Sequence, residues 1–101
     1  MTSPSTSAHR ILVAEDETLI RMDLVEMLRE AGYDVVGAAS DGSEAVSLAE
    51  SLKPDLAILD VKMPIPDGIS AAEKIISISP VLMLTAFSQK DLVEQIGRAH
   101  V

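Results

Sequence analysis

The sequence predicts an α/β fold, in which an open parallel sheet carries helices on both faces. Short apolar runs of strand length alternate with longer segments whose apolar residues recur at helical spacing. The connections are short, and no internal repeat or second-domain linker is visible. Strands that alternate with helices in this way form parallel sheets through right-handed crossovers. A chain of 101 residues, 48% of them hydrophobic, allows one small domain with its own core.

The first predicted strand and helix follow a polar leader. Residues 1–9 are rich in Ser and Thr and contain no apolar run, so we expect a disordered leader and not a signal peptide. Residues 11–14 predict a short buried strand. The next segment predicts a helix that Thr18 or Asp16 caps and Gly32 ends. Its apolar stripe consists of Ile20, Leu24, Met27, Leu28 and Ala31.

A second strand and a second helix are predicted next. Residues 33–38 are rich in Val and predict the strand, and Asp41-Gly42 has the composition of a turn. The helix is predicted to end before Pro54, which cannot continue it. Its apolar face consists of Ala45, Val46, Ala49 and Leu52.

Two further strands and two further helices complete the pattern. Residues 55–60 and 81–84 predict the third and fourth strands. A fourth helix is predicted from Ser88 onward. The helix between the two strands is weaker, and its apolar stripe consists of Ile69, Ala72, Ile75 and Ile76.

The composition excludes several classes of function. A formal net charge of -8 argues against a nucleic-acid-binding surface, which needs clustered Lys and Arg. The absence of Cys excludes disulfides, a thiolate nucleophile and Cys-containing metal sites. No apolar run approaches membrane-spanning length. We therefore expect a cytoplasmic protein with no membrane partner.

Carboxylates follow two of the predicted strands, at the edge where ligands bind in open α/β folds. Asp60 ends one apolar run, and Glu15 and Asp16 follow another. Carboxylates that share a crevice repel one another, and the usual compensation is a divalent cation with oxygen ligands. Mg²⁺ suits this best, because it takes a few carboxylates and keeps waters for the rest of its octahedron. It would also prepare Asp60 as a nucleophile for phosphoryl transfer, with the Thr85 hydroxyl donating to a phosphoryl oxygen.

Each of these residues also has a plain structural interpretation. Asp16 or Glu17 alone is more often a helix cap than a ligand, Asp67-Gly68 more often a turn, and Thr85 more often a strand-end residue bonded to backbone. Lys62 is interpreted as a solvated loop lysine. Separate caps would not require acidic residues at two strand ends and a hydroxyl at a third, so the combined pattern favours a site.

Three motifs resemble the receiver domain of two-component response regulators. Residues 11–17, Ile-Leu-Val-Ala-Glu-Asp-Glu, resemble its first strand and acidic pair. Residues 59–68 resemble its phosphoacceptor strand with the Met-Pro and Asp-Gly loop, and residues 84–86, Leu-Thr-Ala, resemble its fourth-strand signature. The match runs from residue 10 to residue 95 and implies a flavodoxin-like sheet with strand order 2-1-3-4.

The resemblance implies a role for each candidate site residue. Asp60 is the implied phosphoacceptor, Thr85 the switch hydroxyl, and Phe87 a residue that tunes access to the phosphoryl group. The phosphoryl group would come from a histidine kinase. The only catalysis implied is self-phosphorylation and autodephosphorylation, so the domain is a signalling module and not an enzyme in the usual sense. The implied Mg²⁺ ligands are Glu15, Asp16, Asp60 and the main-chain carbonyl of Lys62.

A narrower resemblance concerns the output of the signal. Residues 21–28 and 85–89 resemble receivers joined to an RNA-binding antitermination (ANTAR) module. This implies that any nucleic-acid contact belongs to such a module and not to the present domain.

The C-terminal end departs from the family pattern. A receiver continues into a fifth strand, a Lys-Pro pair and a fifth helix, none of which has a counterpart in this sequence. Residues 96–101 correspond to the translation of a DNA string that resembles a sequencing adapter. We therefore expect residues 10–95 to be an incomplete receiver domain and residues 96–101 to be a non-native tail. The helix after Gly68 is also short, which is consistent with a small deletion there.

Two alternatives to a phosphorylated receiver stay open. A pseudo-receiver that binds partners without phosphorylation is favoured by the absent lysine and disfavoured by the intact acidic residues and Thr85. A phosphatase of the haloacid dehalogenase type also has an Asp after a strand. That chemistry needs a second Asp two residues later, where this chain has Lys62.

Overall fold

A computed structural model describes residues 9–61, 63 and 68–84. Strands and helices alternate along this part of the chain, as the sequence predicts. Residues 1–8, the predicted fourth helix and residues 96–101 lie outside the described residues. None of the helices in the described ranges is both long enough and apolar enough to cross a membrane. The strands are β1 (Arg10–Ala14), β2 (Asp34–Ala39), β3 (Leu56–Asp60) and β4 (Val81–Leu84), and the helices are α1 (Thr18–Glu30), α2 (Gly42–Leu52) and α3 (Gly68–Ile75).

The four strands form one parallel sheet in the order β2-β1-β3-β4, which confirms the predicted fold class. Because β1 lies between β2 and β3, Ala14 pairs with Ala39 on one side and with Leu59 on the other. The register of β1 against β2 shifts after Ile11, so Val36 is the extra residue of a bulge. The carboxyl ends of all four strands therefore lie at the same edge of the sheet.

Helices cover both faces of the sheet, and each face has its own aliphatic cluster. On one face, Leu24 and Leu28 of α1 pack against Ile11 and Val13 of β1. On the other face, α2 and α3 pack against the alternate residues of the same strands. This second cluster consists of Leu12, Ala14, Ala39, Ala45, Ala49, Ala57, Leu59, Met63, Ala71 and Ile75. The alternation follows from the two-residue repeat of a strand, which sends successive side chains to opposite faces.

The ends of α1 differ in how they are capped. Glu17 is the N-cap residue, and its side chain makes no capping hydrogen bond. The prediction that Thr18 or Asp16 caps this helix is therefore wrong. Gly32 ends the helix as predicted, with φ of 98° directly after the C-cap residue. Glycine adopts this left-handed conformation without the steric penalty of a Cβ atom.

The predicted turn at Asp41-Gly42 is instead the start of α2. The Asp41 side chain accepts a hydrogen bond of 2.8 Å from the Glu44 N–H. In return, Glu44 Oε1 accepts from the Ser40 N–H at 2.8 Å and from the Ser40 hydroxyl at 3.1 Å. These reciprocal bonds satisfy donors that the first turn of a helix leaves unpaired.

The apolar stripe predicted for α3 is only partly correct. Ile75 is buried as predicted, but Ile69 and Ile76 are 57% and 58% exposed. The second buried residue of this helix is Ala71, four positions before Ile75. The helix ends at Ile75 and rests on α2 and the sheet through the face that carries this pair. Ile69, two positions before Ala71, and Ile76, one position after Ile75, lie off this face and are exposed.

Candidate functional site

The register of β1 against β3 brings two acidic residues together. Ala14 pairs with Leu59 at the end of this parallel ladder, so Glu15 and Asp60 leave the sheet side by side. The Glu15 N–H donates to the Ala39 carbonyl at 3.0 Å, which continues the pairing of β1 with β2 by one residue. Asp16 follows in the loop to α1.

These three residues form a compact group, here called the acidic cluster (Glu15, Asp16 and Asp60). Each offers one carboxylate oxygen, and these oxygens lie within 4.8 Å of one another. Glu15 is buried, with 3% of its surface exposed, whereas Asp60 is half-buried and Asp16 is exposed. The structure thus brings together the three carboxylates that the sequence places at strand ends.

Burial perturbs the carboxyl group of Glu15. Loss of solvent raises the pKa of Glu15 from its ordinary value of 4.5 to about 7. The Glu17 N–H, which donates to Glu15 Oε2 at 3.0 Å, stabilises the ionised form and opposes this rise. A hydrogen bond with Asp16 and the charge of Asp60 raise the pKa further. Near neutral pH, Glu15 therefore carries a proton in part of the molecules, and a bound cation would compete with this proton.

The chemistry of these donors suits a hard divalent cation. All three are carboxylates, and ions such as Mg²⁺ prefer anionic oxygen ligands. A cation placed among the three oxygens would offset their mutual repulsion and compete with the proton on Glu15. Glu15, Asp16 and Asp60 are the described residues that would hold such an ion.

Several predicted site residues cannot be compared with the structure. Lys62, Asp67, Thr85 and Phe87 lie outside the described residues. Their predicted roles therefore stay predictions. Met63, three positions after Asp60, is 3% exposed and packs in the cluster under α2 and α3.

Arg21 lies outside the apolar stripe predicted for α1, and the sequence assigns it no role at the site. In the structure, Arg21 Nη1 donates to the Glu15 carbonyl oxygen at 2.7 Å. The signal that could have found it is spacing, since Arg21 lies one helical turn after the N-cap residue Glu17. A long side chain at that position can reach back to the loop before the helix.

Comparison with known proteins agrees with this geometry. The response regulator receiver domain family matches residues 11–101. The chain is 63% identical to the transcriptional regulatory protein PdtaR of Mycobacterium tuberculosis over 94% of its own length, and it spans about half the length of that relative (50%). It is 37% identical to the chemotaxis protein CheY of Thermotoga maritima, over 89% of this chain and 78% of CheY.

A solved structure supports the fold independently of close sequence likeness. A chain in the crystal structure of the CheX-CheY-BeF3-Mg+2 complex from Borrelia burgdorferi matches with a TM-score of 0.86, over 98% of this chain and 95% of that chain. The identity is 19%, so this likeness concerns the fold alone. The family match covers nearly the whole chain, and the sheet order and the acidic cluster are those that the motifs predict. The chain therefore belongs to the response regulator receiver domain family of two-component signalling systems.

Proposed function

We propose that this domain takes a phosphoryl group from a histidine kinase onto Asp60, with Mg²⁺ bound at the acidic cluster. The observation that carries the proposal is the convergence of three carboxylate oxygens within 4.8 Å at the carboxyl ends of β1 and β3. Clustered carboxylates of this kind are unfavourable unless a cation or protons offset their charge.

In the proposed reaction, a carboxylate oxygen of Asp60 attacks the phosphorus atom of the donor, and the bond from phosphorus to the donor breaks. Glu15 and Asp16 hold the cation beside Asp60. When bound, Mg²⁺ would neutralise charge on the transferring oxygens of a phosphate that the carboxylates alone would repel. Asp60 lies at the end of a paired strand, which restricts its motion. A nucleophile that is held in position favours transfer of the phosphoryl group.

The family resemblance adds further proposed roles. The main-chain carbonyl of Lys62 would be another Mg²⁺ ligand, and the Thr85 hydroxyl would bind a phosphoryl oxygen and act as the switch. Phe87 would tune access to the phosphoryl group. Apart from self-phosphorylation and autodephosphorylation, the domain would have no catalytic activity.

The partners and setting are proposed from the relatives and the charge. The likeness to PdtaR supports an RNA-binding output module of the ANTAR type elsewhere in the full protein. The net charge of -8 supports a receiver that does not itself contact nucleic acid, and a cytoplasmic location fits this role. A pseudo-receiver is less favoured, because the acidic cluster is intact. A haloacid dehalogenase-type phosphatase is not favoured, because the chain belongs to the receiver family.

The test is labelling by a small phosphodonor. Native protein, Asp60→Asn and Asp23→Asn are each treated with acetyl phosphate, with and without Mg²⁺, and weighed intact by mass spectrometry. Asp23 lies on the exposed face of α1 and is the matched control. We expect Mg²⁺-dependent labelling of the native and Asp23→Asn proteins and none of Asp60→Asn. Equal labelling of all three proteins would refute Asp60 as the phosphoacceptor.

A further inference from the structure

We propose that Arg21 is a positioning residue for the acidic cluster. Its guanidinium holds the loop between β1 and α1 in the conformation from which Glu15 and Asp16 bind Mg²⁺ beside Asp60. This inference rests on the proposed function, because it concerns the metal site that the function needs.

The Arg21 side chain contacts two consecutive carbonyl oxygens of this loop, and the Arg21 main chain contacts the next one. Its Nη1 donates to the Glu15 carbonyl at 2.7 Å and makes a longer contact of 3.5 Å with the Asp16 carbonyl. Its main-chain N–H donates to the Glu17 carbonyl at 2.9 Å as part of the helix. The orientation of successive carbonyls sets the backbone dihedral angles of the residues between them, and these angles set the direction of each side chain. Arg21 therefore acts on the directions of the Glu15 and Asp16 carboxylates.

The loop lacks the usual device that attaches a loop to a helix. At most helix starts, a Ser, Thr, Asp or Asn side chain accepts a hydrogen bond from the first turn. The Glu17 side chain makes no such bond, and the first turn of α1 contains no acidic residue. Among the contacts that hold this loop, the Glu17 N–H donates to the Glu15 carboxylate at 3.0 Å, and the Arg21 guanidinium donates to the Glu15 main-chain carbonyl at 2.7 Å. The bond from Glu17 occupies a carboxylate oxygen of Glu15, whereas the bond from Arg21 occupies only a main-chain oxygen.

The acceptors of the Arg21 guanidinium in this loop are main-chain carbonyls, which suits a metal site. The cation of Arg21 lies close to an acidic loop and so offsets part of its charge, yet its hydrogen bonds in that loop go to main-chain oxygens. The carboxylate oxygens of Asp16 and Glu15 are thus not taken up by the guanidinium. Both contacts come from Nη1, whose N–H bonds have fixed directions in the planar guanidinium. Lys is less suited here, because its ammonium is a flexible point charge.

The experiment compares Mg²⁺ affinity with metal-free stability in four variants of the 101-residue chain. Isothermal titration calorimetry at 0.15 M salt gives the dissociation constant of Mg²⁺, and circular dichroism with a chelator gives Tm. The variants are Arg21→Gln, Arg21→Lys, Arg29→Gln and Asp16→Ala. Arg29 is exposed in the last turn of α1, about 12 Å along the helix from Arg21, so its charge is largely screened from the loop.

We expect Arg21→Gln to bind Mg²⁺ roughly 10-fold to 100-fold more weakly than the native protein, the usual effect of removing a group that orients metal ligands. Arg21→Lys should recover only part of this loss, and Arg29→Gln should bind as the native protein does. Native affinity in a folded Arg21→Gln protein, or full recovery in Arg21→Lys, would overturn the positioning role. If Arg21→Gln does not fold, Arg21→Lys decides alone: weakened binding supports the role and native binding overturns it.

The Asp16→Ala variant separates this inference from the proposed function. If the native protein binds no Mg²⁺, or if Asp16→Ala binds it as tightly as the native protein, the metal site itself is wrong and the role of Arg21 is wrong with it. If native binding is present and Asp16→Ala abolishes it, an unchanged Arg21→Gln affinity contradicts the role of Arg21 alone.

Discussion

The buried carboxyl of Glu15 should make the metal-free protein less stable as the pH rises from about 5 to about 8. The pKa of Glu15 is about 7 in the folded protein against an ordinary value of 4.5. Between these two values the folded state holds a proton that the unfolded state has released, so the free energy of unfolding falls as the pH rises. This contribution is fully present below pH 4.5 and is lost as the pH passes through about 7.

The size of the effect follows from the same two values. One pH unit corresponds to about 1.4 kcal/mol, so the interval from 4.5 to about 7 corresponds to on the order of 3 kcal/mol. This is a large part of the stability of a small domain. Mg²⁺ should remove the effect, because a cation at the acidic cluster favours the ionised form of Glu15.

Glu15→Gln tests whether this residue is the cause. Gln keeps the shape of the side chain and cannot ionise, so this variant should lose the fall in stability between pH 5 and 8 and should exceed the native protein in stability at pH 8 without metal. Glu26→Gln removes the same charge from the exposed face of α1 and should keep the native profile.

The assay is urea unfolding, followed by circular dichroism at four pH values, with a chelator or with excess Mg²⁺. A native protein whose metal-free stability is flat between pH 5 and 8 would refute the reasoning. An equal slope in the native and Glu15→Gln proteins would show that another group causes the dependence.

Three substitutions away from the site should change stability in predictable directions, each measured by thermal or urea unfolding. Lys53→Gly should stabilise the protein by about 0.5–1 kcal/mol, because Lys53 has φ of 48°, which glycine adopts without strain; a destabilised variant would contradict this. Asp41→Ala should cost about 1 kcal/mol through loss of the α2 cap, whereas exposed Ser43→Ala should not. Leu28→Ala should cost about 2–5 kcal/mol, and an equally small effect at Leu28 and at exposed Leu19 would refute the assigned core.

Local pattern predicted much of the fold correctly. The fourth strand was predicted at residues 81–84 and is found there. The apolar residues of α1 at Leu24 and Leu28 are buried, and Gly32 ends that helix. These features depend on spacing and on single-residue conformational preference, both of which are local properties of the chain.

The errors arose where a residue's role depends on the direction in which an element packs. Ile69 and Ile76 have the spacing of a buried stripe, but the contact of α3 with α2 and the sheet buries Ala71 together with the predicted Ile75 and leaves these two exposed. Asp41-Gly42 has the composition of a turn, and only the bond to the Glu44 N–H shows that a helix begins there. In the first case packing chooses between two structures that the composition permits, whereas in the second case a hydrogen bond between residues three positions apart does so.

The sequence by itself determined that acidic residues follow two apolar strands, and hence which carboxylates belong to the candidate site. Only the tertiary structure decided how these carboxylates differ in burial. Pairing of Ala14 with Leu59, 45 positions later in the chain, sets Glu15 beside Asp60. The same packing buries Glu15 and raises its pKa while Asp16 stays exposed, and it brings Arg21 back onto the loop between β1 and α1. The physical reason is that desolvation and charge interactions depend on neighbours in space, which the order of residues along the chain does not specify.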